Sequence, residues 1–170
     1  MLNDAMQNRG LKALIARSAD FYGPGAKNGI LNTLVINNFQ KGKSAMWQSD
    51  PNKIHSLTYV PDAAKATALL GNTDSAYNQV WHLPTSREKL TGKQFIEITA
   101  SMAGCKPSYT VLRPFMISLL GLFMRVMKEL QEMQYQNNQD YFFDSEKFNQ
   151  AFSFTPTRYA DGIRQSLQSS

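Results

Sequence analysis

The feature that most constrains the fold of this chain is an alternation of short apolar runs with longer segments of helical periodicity. Residues 11–16 form a short, mostly apolar run of the kind found in buried parallel strands. Between residues 30 and 39 the apolar side chains recur at helical spacing, among them Leu31, Leu34 and Val35. Because alternating strands and helices are typical of layered α/β domains, this pattern predicts an α/β fold.

Turn and capping residues set the boundaries of these elements. Tyr22-Gly23-Pro24-Gly25 predicts a turn, since proline presets φ and glycine accepts positive φ. Asp62 is expected in the first turn of a helix, where free backbone amides favour a carboxylate. Thr91 followed by Gln94 matches a capping box. The predicted strands are 11–16, 44–48, 54–60, 79–83, Tyr109–Leu112 and 141–143, and the predicted helices are 2–9, 30–39, 62–70, Thr91 to Gly104, 116 to about 134, 145–152 and a last helix after Thr157.

The composition indicates one soluble globular domain. The chain has 170 residues, of which 42% are hydrophobic and 18% charged, enough for a real core. The formal net charge of +5 could attract nucleic acid, and salt-sensitive binding to DNA or RNA is the weakest of three functional hypotheses. The basic residues are dispersed and no motif of a known nucleic-acid reader is present, so nucleic acid is not an expected partner.

Cysteine content and hydropathy indicate a cytoplasmic protein. The single cysteine, Cys105, excludes an intramolecular disulfide and suits a reducing compartment. The first residues lack the basic and apolar regions of a signal peptide. The most apolar stretch, residues 115–124, is about half of the ~20 residues that a membrane-spanning helix needs. We therefore expect no membrane association.

No complete catalytic or metal motif is present in the chain. Its glycine cluster (Gly23, Gly25 and Gly29) lacks the G-x-G-x-x-G spacing of a dinucleotide cradle. None of the seven tyrosines is followed by lysine four residues later, although Tyr109 has Arg113 at that distance. Three or four ligands at compatible spacing are needed for zinc, and His55, His82 and Cys105 stand apart in the sequence. A nucleophilic pair of Cys105 with a histidine stays open, because such partners meet in space.

Four segments in a fixed order carry a resemblance to a known family. Together they resemble the second half of an extended short-chain dehydrogenase/reductase of the NAD-dependent epimerase/dehydratase family. The half of the family's pattern that binds the dinucleotide and carries the catalytic Tyr and Lys has no counterpart here. The resemblance implies the C-terminal portion of a Rossmann-type fold, with residues 1–28 as the last part of the Rossmann-like core and 29–170 mainly as the substrate-binding region. The segments are 16–25 (Ala-Arg-Ser-Ala-Asp-Phe-Tyr-Gly-Pro-Gly), 55–64 (His-Ser-Leu-Thr-Tyr-Val-Pro-Asp-Ala-Ala), 80–84 (Val-Trp-His-Leu-Pro) and 154–157 (Phe-Thr-Pro-Thr).

The resemblance also implies site residues. Ser18 and Ala19 fall where the family borders the nicotinamide of NAD or NADP, and Tyr22 begins the turn into the substrate region. Asp20 stands where an asparagine commonly contacts the substrate, and His55 where an arginine often grips a sugar-nucleotide diphosphate. A carboxylate repels a diphosphate, and neutral histidine lacks the bidentate fork of arginine. We therefore expect an unknown small-molecule substrate other than a standard UDP- or TDP-sugar.

Two main functional hypotheses follow from this resemblance. The first is the substrate-binding part of an NAD(P)-dependent epimerase, dehydratase or reductase, which does not catalyse alone and does not bind the cofactor alone. The second is a non-catalytic module that holds a ligand or a protein. A parallel strand at 11–16 without its sheet neighbours would expose an edge that invites pairing. We therefore expect a homo-oligomer, or a partner chain at that edge.

Overall fold

Helices alternate with short strands along the chain, so the predicted α/β class is confirmed. The computed structural model describes residues 2–8, 10–26, 29–48, 50–113, 116 and 139–169. Its helices are α1 (Leu2–Asn8), a π-helical turn (Asn32–Ile36) that continues into α2 (Asn37–Gln40), α3 (Val60–Gly71), a 3₁₀ turn (Asp74–Ala76), α4 (Gly92–Met102), α5 (Glu146–Ala151) and α6 (Tyr159–Gln168). The predicted helix from 116 to about 134 lies almost wholly outside the described residues.

The strands pair two by two, and every pair is parallel. β1 lies beside β5 with Ile15 opposite Val80, and β2 lies beside β4 with Asp20 opposite Leu57. β3 lies beside β6 in the same way. Parallel pairing requires a long crossover between partners, which the intervening helices supply. The strands are β1 (Ile15–Arg17), β2 (Asp20–Tyr22), β3 (Ala45–Gln48), β4 (Leu57–Tyr59), β5 (Val80–His82) and β6 (Tyr109–Leu112).

The first strand begins later than predicted, at Ile15, and residue 11 instead bonds back to α1. Gly10 adopts a φ of +66°, and the Leu11 amide donates to the Ala5 carbonyl at 3.2 Å. The bond turns the chain back onto α1 just after a glycine of positive φ, a backbone conformation common at helix ends. The prediction for 11–16 was therefore wrong at its start, and only its last two residues belong to β1.

The predicted strand 54–60 is divided in the structure. Ile54 and His55 form single bridges, to Thr91 and to Tyr141, and only residues 57–59 form a continuous strand. Val60 is already helical, with proline in the first turn of α3, where a missing N–H costs no helical hydrogen bond. The predicted strand 141–143 is likewise reduced to the one bridge of Tyr141.

The predicted turn at Gly23-Pro24-Gly25 is confirmed and is held by one side chain. Asn32 Oδ1 accepts from the Gly23 amide at 3.1 Å, and Asn32 Nδ2 donates to the Gly23 carbonyl at 3.0 Å. Gly23 has a φ of +110°, and a Cβ there would lie 2.6 Å from Cε2 of Tyr59. Glycine is thus required at this position by both backbone conformation and space.

The capping box at α4 is confirmed. Thr91 Oγ1 accepts from the Gln94 amide at 3.2 Å, and Gln94 Oε1 accepts from the Thr91 amide at 2.9 Å. Gly104, with a φ of +69°, follows the helix as predicted. The cap fixes the first turn of α4 beside the side chain of Trp47.

The core has two apolar clusters. The larger contains the fully buried Tyr22, Phe95 and Tyr159 and joins the β2–β4 and β3–β6 pairs to α4 and α6. The smaller contains Trp81 and Phe148 and joins β5 to α3 and α5. Trp81 Nε1 donates to the Ala76 carbonyl at 2.8 Å, which satisfies its buried N–H.

Two absences hold for the described part of the chain. None of its helices is long and apolar enough to cross a membrane. No group of three or more His, Cys, Asp or Glu side chains within it is arranged to hold a metal ion.

Candidate functional site

A cavity of about 350 Å³ opens where the chain passes from β1 to β2. One wall is the segment 18–21, and another is β3 with the loop that follows it. The helical turn after residue 29 supplies an apolar side, and Tyr141 approaches from the C-terminal part of the chain. The side chains and backbone around it belong to Ser18, Ala19, Asp20, Phe21, Ile30, Leu31, Leu34, Met46, Trp47, Gln48, Asp50, Lys53, His55 and Tyr141.

Asp20 and His55 are in direct contact in this cavity. Asp20 begins β2 opposite Leu57 of the parallel β4, so His55, two residues before Leu57, reaches it across the ladder. His55 Nε2 lies 2.8 Å from Asp20 Oδ2. An ionised carboxylate only accepts hydrogen bonds, so Nε2 carries the hydrogen of this bond. The sequence pointed to both residues separately, but not to the bond between them.

The imidazole of His55 is held on both sides by aromatic rings. The Trp47 ring meets it edge-on at 6.2 Å, and the Tyr141 ring lies 5.5 Å away at 50°. The His55 amide donates to the Leu90 carbonyl at 2.9 Å, which fixes its backbone. The imidazole is 14% exposed, whereas the Asp20 carboxylate is 54% exposed. Histidine therefore orients the carboxylate, and the carboxylate is the group offered to the cavity.

Tyr141 also lines the cavity, and the sequence did not predict it as a candidate. Its backbone bridges to 54–56, donating to the Ile54 carbonyl and accepting from the Ser56 amide, each at 2.9 Å. Burial, and secondarily the negative charge of Asp20, raise the pKa of the Tyr141 phenol. The phenol therefore keeps its proton at neutral pH and can donate a hydrogen bond. In the sequence, the two phenylalanines that follow Tyr141 are its only distinguishing feature. They do not indicate which residues Tyr141 contacts.

Ser18 and Ala19 form the floor between the two strands. The Ala19 amide donates to Thr58 Oγ1 at 3.0 Å, and Thr58 Oγ1 lies 3.0 Å from Thr85 Oγ1. Thr85 in turn donates from its amide to Ser145 Oγ at 3.0 Å. This buried chain of hydroxyls ties the floor to the segment after β5 and to the start of α5. Satisfied buried networks of this kind rigidify the backbone they hold.

Tyr22 does not line the cavity. Its side chain is completely buried, and its ring lies 5.4 Å from that of Tyr59 and 5.9 Å from those of Phe95 and Tyr159. Among the described residues its hydroxyl has no hydrogen-bond partner, and burial raises its pKa far above the ordinary value. The predicted substrate residue thus lies in the core behind the cavity wall.

The remaining candidates have other partners. His82 Nδ1 lies 2.7 Å from the Asp144 carbonyl, and its ring stacks on Phe143 at 4.5 Å. The Cys105 thiol lies 3.4 Å from the Ala103 carbonyl and packs against the larger core cluster. In the structure Cys105 and the two histidines each contact different groups. These contacts do not support a nucleophilic Cys105–His pair.

Comparison with known proteins identifies the fold. No protein-family model matches the sequence, and no match was found among curated proteins. Solved structures do match. UDP-glucose 4-epimerase from Thermotoga maritima is 16% identical, with a TM-score of 0.73 over 99% of this chain and 48% of that one. dTDP-glucose 4,6-dehydratase from Streptomyces venezuelae, solved with NAD, is 17% identical, with a TM-score of 0.73 over 98% and 46%.

A third structure shows the same relation. UDP-glucuronic acid 4-epimerase from Bacillus cereus, solved with UDP-glucuronic acid and NAD, is 15% identical, with a TM-score of 0.73 over 96% of this chain and 46% of that one. The chain thus spans about half the length of the structures it matches. At these identities the likeness concerns the fold alone. The chain has the fold of the extended short-chain dehydrogenase/reductases, over about half of their length.

Proposed function

We propose that this chain is the substrate-binding part of an NAD(P)-dependent epimerase, dehydratase or reductase. The observation that carries the proposal is the cavity in which Asp20 and His55 meet beside Ser18 and Ala19. A concave, mostly apolar site with a few convergent polar groups is the usual form of a small-molecule site. The fold shared with NAD-bound epimerases and dehydratases supports the same proposal.

In this proposal the residues around the cavity have distinct roles. Asp20 and His55 contact the substrate, and Ser18 and Ala19 border the nicotinamide. Tyr22 supports the wall from behind through its aromatic neighbours. Catalysis and dinucleotide binding need further residues, because no tyrosine in the sequence has a lysine four residues later and no G-x-G-x-x-G is present.

The two tryptophans allow a direct test. Trp47 lines the cavity, whereas Trp81 lies in the smaller core cluster with its N–H bonded to Ala76. Their indole N–H resonances in a ¹⁵N-labelled sample, assigned with Trp81→Phe, therefore give one reporter and one internal control. We expect NADH and NADPH to leave both resonances unchanged. A ligand that carries a glucose ring without a nucleotide, the ring named in two of the matched structures, should shift Trp47 alone.

Variants complete this test. His55→Ala removes the group that orients Asp20, so the response of Trp47 to the sugar should fall severalfold. His82→Ala is the matched control, because His82 does not line the cavity. Saturable binding of NADH to the isolated chain, or the failure of every glucose ligand to shift Trp47, would contradict the proposal.

A second candidate function, a protein-interaction module, is favoured by a different surface. An apolar groove of about 970 Å³ lies between Phe21 and one face of α3. Phe21, which lines this groove, is 41% exposed. Exposed apolar surface of this kind is typical of contacts with another chain.

The corresponding expectation is an oligomer or a complex through this groove. Light scattering after size exclusion should give a mass above that of one chain, and Ala68→Arg, on the exposed groove face of α3, should reduce it. Ala151→Arg on α5 is the matched control, because it is exposed but outside the groove. A monomer at every concentration measured would count against self-association.

A further inference from the structure

The cavity is divided into an apolar side and a polar side. Ile30, Leu31, Leu34 and Met46 form the apolar side. On the other side Asp20 is fixed by His55 through Oδ2 alone, and the protonated phenol of Tyr141 stands nearby. A ligand that fills this space needs an apolar face and hydrogen-bonding groups on the opposite face.

The charges of the lining are unfavourable for an anion. Among the residues that the structure describes, no arginine lines the cavity and Lys53 is the one lysine that does. The second carboxylate, Asp50, already accepts from the amide and the side chain of Asn52 at 2.9 and 3.0 Å. Asp20, whose side chain is 54% exposed, therefore presents a negative charge to a ligand in the cavity. A phosphate brought within a few ångströms of it loses about fivefold in affinity even at the dielectric of bulk water, and far more at the lower dielectric of a protein surface.

The same carboxylate favours a hydroxylated ligand. A carboxylate has two oxygens and about four acceptor positions, of which the bond from His55 uses one. Neighbouring hydroxyls can donate to the remaining positions, while the ring face packs against the apolar and aromatic side. Because Trp47 and Tyr141 hold His55 in place, Asp20 keeps this orientation without a ligand.

We infer that Asp20 is a selectivity residue, by which the cavity accepts an uncharged, hydroxylated ring and excludes its phosphorylated counterpart. This inference rests on the proposed function and narrows its substrate class. The inference predicts a difference in affinity between two ligands that share the same ring. The two ligands differ in whether the group next to Asp20 is a phosphate.

The test compares methyl α-D-glucoside with α-D-glucose 1-phosphate, using the Trp47 indole resonance of the full chain at pH 7. We expect the glucoside to bind at least about fivefold more tightly than the phosphate ester. Asp20→Asn should bring the two affinities within about threefold of each other, chiefly by strengthening the phosphate ester. Asp74→Asn is the control, since Asp74 is exposed and does not line the cavity.

A measurement on the unsubstituted chain tests the inference even if the Asp20→Asn variant misfolds. High salt should strengthen binding of the phosphate ester and leave the glucoside unchanged, because it screens only the charged pair. If the phosphate ester binds as tightly as the glucoside, or if Asp20→Asn leaves their ratio unchanged, the inference is overturned while the proposed substrate site stands. If neither sugar shifts Trp47, both are overturned.

Discussion

Replacing Gly92 by alanine is expected to lower the free energy of unfolding by about 2–3 kcal/mol. Gly92 is the first residue of α4 and is buried against the indole of Trp47. A Cβ at this position would overlap the Trp47 ring, with Nε1 at only 2.6 Å. The rings of Phe95 and His55, whose centres lie 6.4 and 6.2 Å from that of the indole, restrict its movement to the side of the cavity. Urea unfolding followed by circular dichroism measures the loss.

The Gly92→Ala substitution should also change the shape of the cavity, since Trp47 forms part of its wall. A displaced indole would shift the Trp47 N–H resonance while that of Trp81 stays in place. Gly71→Ala is the matched control: Gly71 is the last residue of α3, and a Cβ there meets nothing within 4 Å. It should be neutral or mildly stabilising, because alanine has the higher helix propensity. Equal effects of the two substitutions would contradict the steric explanation.

Replacing Asp62 by alanine is expected to cost about 3 kcal/mol. The carboxylate is 3% exposed and accepts two hydrogen bonds from Thr157, from the amide at 2.7 Å and from Oγ1 at 3.0 Å. These bonds join the first turn of α3 to the segment that leads into α6. Alanine would leave the Thr157 amide without its partner, and a partly buried donor without a partner costs more than the bond alone.

Two further substitutions separate this effect from loss of charge at a helix start. Thr157→Val removes only the hydroxyl bond, so we expect a cost of about 1 kcal/mol. Asp161→Ala removes an exposed carboxylate from the first turn of α6, with its ion pair to Arg164, and should cost below about 1 kcal/mol. Thermal or urea unfolding that ranks Asp161→Ala with Asp62→Ala would rule out the tie to Thr157 as the cause.

Local sequence patterns predicted those elements whose boundaries are set by residues adjacent in the sequence. The capping box of Thr91 and Gln94 set the start of α4, and the short apolar runs located β3, β5 and β6. β2 was missed, because its three residues lead into a glycine turn and it is extended through pairing with residues 57–59. Tertiary pairing of this kind has no local signature. The π-helical turn at Asn32–Ile36 likewise gave no sign in the spacing of apolar residues.

The candidate site was predicted in part. The resemblance pointed to Asp20 and His55, and both line the cavity. It also pointed to Tyr22, whose ring alternates to the other side of β2 and is buried in the core. Trp47 and Tyr141 reach the cavity from distant parts of the chain, and neither spacing nor composition relates them to Asp20.

The parallel ladders have a consequence for how the chain acquires its structure. Residue 15 pairs with residue 80, residue 20 with residue 57, and residue 45 with residue 109. During synthesis each of these strands must wait, unpaired, until a distant partner has left the ribosome. Closing such long loops lowers the entropy of the chain before any strand contact forms to offset that loss. Folding is therefore slow. The newly made chain is therefore most prone to aggregation in the interval before residues 57–59, 80–82 and 109–112 emerge.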